Sequence, residues 1–219
     1  MSLKQHTVKS YDQDLKLVAS TLDEMMDLTL ESIDMVAAII KSNDQAIMDQ
    51  VKKHDYKINS LDVLIEKKVT AILALRQPMA VDLRYIISSI KVASNLERIG
   101  DQAKSIMKKI NVIGNGEFEV DVIDSLNEMI EISKSMIKNS VAAFNDFDQE
   151  LAQQVLNQDD KIDVIYKNMF NLTDKKTFSK EQVQKIINTL FIAKSFERLA
   201  DNSTNIAEIA QFVVSGESK

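Results

Sequence analysis

Along almost the whole chain, apolar residues recur every three or four positions, the spacing of one face of a helix. The segment LVASTLDEMMDLTLESIDMVAAIIK (17–41) carries this pattern without a break. A first helix is expected to open after Ser10, with Gln13 completing a capping box. The polar break Ser42-Asn43-Asp44 opens a second helix that runs to about Arg76. Pro78 suits the first turn of a third helix, where its missing N–H needs no partner. That helix runs to about Val112. VIGNGEF (112–118) then holds two of the four glycines and is the clearest linker. A fourth helix is expected from about Val120 to Phe144, and Asn145, Asp146 and Asp148 mark a turn and a cap. The fifth runs to about Leu172, TDKKTF (173–178) forms a loop, and Ser179 with Gln182 caps a sixth that ends near Val214, before Gly216.

Three helices, a glycine linker and three more helices suggest a repeat. NLERIGDQAKSI (95–106) and SFERLADNSTNI (195–206) align helix three with helix six. Asp55 and Asn59 align with Asp159 and Asp163 and pair helix two with helix five. The expected fold is therefore all-α: two tandem three-helix units from an internal duplication, residues 1–113 and 120–219, joined by a linker at 114–119. Short loops within each unit imply antiparallel neighbours.

Composition narrows the classes. One proline and four glycines in 219 residues leave too few turns for a β-rich fold. The net charge of −6 argues against a sequence-independent grip on nucleic acid. Without cysteine there are no disulfides or thiolate metal sites. The longest apolar run, MVAAII (35–40), is far short of a membrane span, and the polar start MSLKQHTVKSYDQ shows no secretory leader. A soluble, cytoplasmic protein is expected.

The repeated acids carry the chemical information. In helix three, Leu83, Ile86, Ile90 and Ala93 share a face that continues into Glu97 and Asp101. Leu96, Ile99, Ala103, Ile106 and Ile110 lie opposite. In helix six, Val183, Leu190 and Ala193 lead into Glu197 and Asp201, with Phe196, Leu199, Ile206 and Ala210 opposite. Each acid pair is expected to be accessible. Like charges at i,i+4 repel, so something positive should offset them. Helix two adds the row Asp55, Asn59, Asp62 and Glu66, and helix five adds Asp159 and Asp163. Oxygen-only donors gathered from two helices favour hard cations and disfavour copper. The plainer reading is a solvated face with Arg98, Lys104 or Lys108 as partners. Gly100 and Ala200 would let a neighbouring backbone or a bulky ligand come close. The four arginines, Arg76, Arg84, Arg98 and Arg198, are placed to orient Asp82, Glu97 or Glu197. Met25, Met26 and Met35 are read as core packing, with an adaptable partner surface as the alternative.

At this point a family resemblance is visible. RQPMAVDLRYIISSIKVASNLERIGDQAKSI (76–106) resembles the signature of the PhoU family, accessory proteins of bacterial phosphate uptake. FERLADNSTNIAEIAQFVVSGE (196–217) resembles its second copy. The resemblance covers essentially the whole chain. It implies a six-helix, two-repeat bundle with multinuclear iron or zinc clusters on its acidic faces. One cluster would use Asp55, Asn59, Glu97 and Asp101, and the other Asp159, Asp163, Glu197 and Asp201. Asn59 departs from the usual acid, which implies a weaker first cluster. The implied role is non-enzymatic: restraint of the phosphate ABC transporter through its ATPase subunit, and of a partner sensor histidine kinase. That places it in the cytoplasm or peripherally at the inner membrane through those partners, with homodimerisation left open.

Two rivals come from other classes. A metal-free helical adaptor, serving this or a different transporter, would need no ions at the acids. A metal-dependent phosphoesterase could use paired cations to activate water. No nucleophile, base or arginine clamp stands beside the acids in the sequence, which disfavours it. A ferritin-like di-iron oxidase needs Glu-x-x-His pairs, and neither His6 nor His54 completes one.

Overall fold

The computed structural model describes residues 9–114, 118–173 and 178–217. They form six helices: α1 (Lys9–Ser42), α2 (Gln45–Arg76), α3 (Ala80–Ile113), α4 (Val120–Asp146), α5 (Gln149–Met169) and α6 (Lys180–Ser215). A 3₁₀ turn over Phe170–Thr173 extends α5. No strand occurs among the described residues.

Side chains set most of the boundaries. Asp44 caps α2 by accepting from Ala46 N at 2.8 Å, and Asp148 caps α5 by accepting from Leu151 N at 2.9 Å. Ser179 and Gln182 form the capping box expected of α6, bonded in both directions at 2.9 and 3.3 Å. Three expectations are corrected. The first helix is already under way at Lys9, so Ser10 is helical and cannot act as its cap. Pro78 precedes Met79, the N-cap of α3, so it lies outside the helix. Gln77 closes α2 in the left-handed conformation, and the proline after it ends that helix instead of starting the next. Finally, Asn145 and Asp146 continue α4, and Phe147 (φ 58°) makes the turn. Gly114 (φ 72°) ends α3, donating to Ile110 O at 3.0 Å. Of the expected linker and loop, 115–117 and 174–177 lie outside the described residues.

The two halves are three-helix bundles, and α3 and α6 pack against each other at the centre of the molecule. They run antiparallel. Arg84 Nε at the start of α3 donates to Val213 O at the end of α6 at 2.9 Å, and Lys109 near the end of α3 meets Ser195 of α6. The arginine thus satisfies a carbonyl in the last turn of α6. A second seam joins α1 to α4 through Asn145–Asp23 at 2.8 Å and Lys134–Asp34 at 2.5 Å. Tyr85 ties the halves together. Its ring stacks on Phe144 with centroids 4.7 Å apart, and its hydroxyl donates to Asn145 Oδ1 at 3.1 Å.

Met25 is fully buried, and Met26 and Met35 pack against the core, which bears out the packing reading for α1. Within the first half, Gly100 lets α2 approach α3. A Cβ there would stand 3.0 Å from Ile58 Cδ1, so the space is filled by a neighbouring side chain and not by a ligand. Among the described residues, no helix is long and apolar enough to cross a membrane.

Candidate functional site: two acid clusters

The two motif helices place their residues identically. Asn95, Leu96, Ile99 and Gly100 are buried, and so are Ser195, Phe196, Leu199 and Ala200. Glu97 and Glu197 are partly covered, while Arg98 and Arg198 face solvent. Each acid pair therefore lies at the edge of the core, facing the second helix of its own half.

In the first half, Asp55 of α2 is 6% exposed and lies against α3. Lys104 Nζ bonds its Oδ2 at 2.5 Å and reaches Asp101 Oδ1 at 4.0 Å. Partial burial, followed by the Asp55 carboxylate within hydrogen-bonding reach, raises the pKa of Asp101, and Lys104 and Lys108 oppose the rise. Glu97 is raised by burial and then by Asp101, Asp62 and Asp55. Lys104 is held above its ordinary range, chiefly by its bond to Asp55. The group is a crowd of acids with a single lysine inserted.

The second half repeats the crowd with a different cation. Burial, then Asp201, Asp163, Asp160 and Glu197, push Asp159 up to about 6. Burial and Glu197 also raise Asp201. Lys194 Nζ pairs with Glu197 Oε1 at 2.5 Å and stands 5.4 Å above the Tyr166 ring. Lys167 pairs with Asp163 at 3.0 Å. The other Glu197 oxygen, Oε2, is buried with no hydrogen-bond partner among the described residues. Lys104 and Lys194 do not occupy equivalent positions, so each repeat neutralises its acids in its own way.

The sequence model of the PhoU domain matches the chain twice, over residues 22–110 and 126–210, and each match contains one of these clusters. The chain belongs to the PhoU family. It is 31% identical to the "Phosphate-specific transport system accessory protein PhoU homolog" of Caulobacter vibrioides over 98% of this chain and 94% of that one. The crystal structure of PhoU from Pseudomonas aeruginosa superposes with a TM-score of 0.87 at 28% identity, covering 94% of this chain and all of that one. The phosphate transport system regulatory protein PhoU from Streptococcus pneumoniae gives 0.85 at 25% identity, over 95% and 99%. The all-α fold of two tandem three-helix units is that of the family.

Within this PhoU frame, seven of the eight sequence-named residues gather into the clusters: Asp55, Glu97 and Asp101 in one, and Asp159, Asp163, Glu197 and Asp201 in the other. Asn59 is exposed on α2, and Asp62, on the next turn, acts on Glu97. The expectation of accessible acids holds for Asp101 and Asp201, whereas Glu97 and Glu197 are partly covered, the Glu197 side chain being only 15% exposed. Arginines do not orient the motif glutamates. Arg76 pairs with Asp14 at 3.0 Å, Arg84 serves the end of α6, and Lys194 holds Glu197. Lys194 was not singled out by the sequence reading, though it lies one turn before Glu197 and within helical reach. The donor chemistry fits a hard cation, but the side chains as they stand are closed onto lysines. No three acids among the described residues converge as a ready ligand set.

The crowding has a pH consequence in metal-free protein. Asp159 titrates at about 6 when folded and near 3.8 otherwise. Between those values the folded state holds its proton more tightly, so stability falls as pH rises through the window and is lowest above it. With a chelator present, Asp159→Asn is expected to raise Tm at pH 7.5 by about 2–4 °C, or ~1 kcal/mol after solvent screening. It should also flatten the gain that the parent shows on acidification to pH 5. Calorimetric scans across that range check it, and an unchanged or lower Tm at pH 7.5 counts against the crowding.

Proposed function

We propose that this chain is a regulatory accessory protein of phosphate uptake that restrains its transporter through two cation-binding acid clusters. The observation that carries the reading is the near full-length match to phosphate-transport accessory proteins, in which both PhoU domains present a crowded acid cluster. On this reading it works in the cytoplasm, peripherally at the inner membrane, against the transporter ATPase subunit and a sensor histidine kinase. It is not an enzyme, and a homodimer is one form it could take.

Asp55, Glu97 and Asp101 would hold ions in the first half, with Asn59 as a neutral donor. Asp159, Asp163, Glu197 and Asp201 would hold them in the second. Iron or zinc, or another hard cation, would supply positive charge where Glu97, Asp101, Asp159 and Asp201 now hold raised pKa values. Lys104 and Lys194 would leave as the ions enter. The second cluster keeps four acids against three in the first and is expected to bind more tightly.

A second reading is favoured by one observation: those lysines already close the acids. A metal-free adaptor would keep them closed and recognise its partners through the bundle surface alone.

Metal analysis by plasma mass spectrometry after anaerobic reconstitution separates the two. Several iron or zinc ions per chain are expected, lost when Glu97, Asp101, Glu197 and Asp201 are all changed to alanine with helicity intact. A reconstituted parent without ions leaves the metal-free reading. In parallel, the transporter ATPase subunit and the kinase should be retained by the immobilised chain. Retention of neither would remove the transport role.

A further inference from the structure

On the opposite side of the motif helices, in the seam between α3 and α6, lies a cluster of the opposite sign. Lys109 is half-buried, and its ammonium contacts Ser105 Oγ at 2.5 Å, Ser195 Oγ at 3.3 Å and Ser105 O at 3.5 Å. Arg198 of α6 and Lys108 of α3, both exposed, lie near enough for their charges to act on Lys109. No carboxylate forms an ion pair with Lys109 or Arg198 among the described residues. The Ser195 hydroxyl donates to Phe191 O at 3.0 Å, while the Ser105 hydroxyl accepts from Lys109 and has no acceptor of its own among the described residues. A half-buried ammonium thus bridges serines of two helices, with a guanidinium near enough for its charge to be felt there.

This arrangement differs from that of the partly buried lysines that bond carboxylates. Lys104, Lys134 and Lys194 each bond a carboxylate at 2.5 Å, and each is raised by it. Lys109 is lowered, by burial first and then by Arg198 and Lys108. Nothing in the repeat demands this charge. At the equivalent positions of the other copy, one hundred residues away, Ile209 replaces Lys109, Glu208 replaces Lys108, and Asn205 and Asn95 replace the serines. That side keeps the cross-seam contact, Asn205 Nδ2 to Asn95 Oδ1 at 3.4 Å, and keeps an arginine, Arg98, where Arg198 stands, but it has no counterpart of the Lys109 ammonium.

We infer that Lys109, Arg198 and Ser105 form a binding site for a phosphate-type oxyanion in the α3–α6 seam. A multivalent tetrahedral anion accepts several charge-assisted bonds at once, and a lysine, an arginine fork and a hydroxyl offer them from separate directions. The anion would supply the counter-charge that the seam lacks and link the two halves across it. The site does not depend on the acid clusters' holding metal, although Arg198 also acts on Asp201 of the second cluster.

The test is calorimetric titration of inorganic phosphate into the full chain, at constant ionic strength and with a chelator present, so that no metal carries the phosphate. One saturable site is expected. Lys109→Met and Arg198→Gln should each weaken it about tenfold, the effect of losing one charge-assisted bond, with helicity unchanged. Arg198 is exposed, so its variant keeps the test valid if Lys109→Met misfolds. Absence of saturable binding, or unchanged affinity in the folded variants, overturns the site. Acetate displacing phosphate with equal strength overturns its tetrahedral selectivity.

Discussion

Replacing Tyr85 by alanine is expected to destabilise the protein by about 3–5 kcal/mol, the usual cost of emptying a large aromatic site in a core. Tyr85 is fully buried at the junction of the halves, stacked on Phe144 with centroids 4.7 Å apart and tilted against Phe147 at 5.5 Å. Alanine removes the ring from both partners and leaves a void that rigid helices cannot close. For a chain of this length, Tm should fall by roughly 10 °C. Tyr85→Phe keeps the stack and loses only the hydrogen bond to Asn145, so about 1 kcal/mol is expected. The pair of variants separates packing from polarity. Burial, with Asp23 and Asp146 nearby, holds the phenol well above its ordinary pKa, so Tyr85→Phe should cost the same from pH 6 to 9. Denaturant unfolding of the three proteins measures both effects. An alanine variant within 1 kcal/mol of the parent would mean the halves do not rely on this ring.

That junction was invisible in the sequence, and the reason is physical. Helical periodicity marks which face of a helix is buried, but not which helix covers it. The six helices, the repeat and the α6 capping box were legible because each rests on residues close in sequence. Ser179 and Gln182 settle their cap within one turn. The positions of Ser10 and Pro78 were misread because a cap residue and a helix-ending residue have the same local chemistry. Gln77 turning left-handed is what decides for Pro78. The acids were legible for a different reason. A hundred-residue repeat places Glu97 beside Glu197 by alignment, and the two-helix crowd follows from antiparallel packing. Which cation answers the crowd was not legible. Lys104 reaches across to Asp55 from another helix, and the repeat gives no equivalent lysine on the other side. Lys109 was hidden likewise, since its partners Ser195 and Arg198 come from the opposite half.

Removing Lys104 should show how much of the first half's stability rests on that one charge. Lys104→Met keeps the apolar stem and deletes the ammonium, leaving the buried Asp55 carboxylate beside Asp101 with no cation bonded to it. Breaking a buried pair by removing one partner is far more costly than removing both, because the stranded charge remains desolvated. Lys104 is partly exposed, so about 2 kcal/mol is expected at pH 7.5, or roughly 4–8 °C in Tm. The sign with pH follows from the acids. Asp101 and Glu97 already hold raised pKa values, and without Lys104 they rise further. Acidification from pH 7 to 5 should then recover part of the loss by adding the proton the lysine replaced. Asp55→Asn in the same background should restore stability outright, since it removes the stranded charge. A divalent cation offers a second route to the same rescue. If the first cluster takes up metal, zinc or ferrous iron should stabilise Lys104→Met more than the parent, because no lysine has to leave first. Thermal scans of the parent, the single and the double variant, with chelator or metal, give all of these comparisons. Rescue by Asp55→Asn and by acid but not by metal would identify Lys104 as the permanent occupant of the first cluster, and leave cation binding to the four acids of the second.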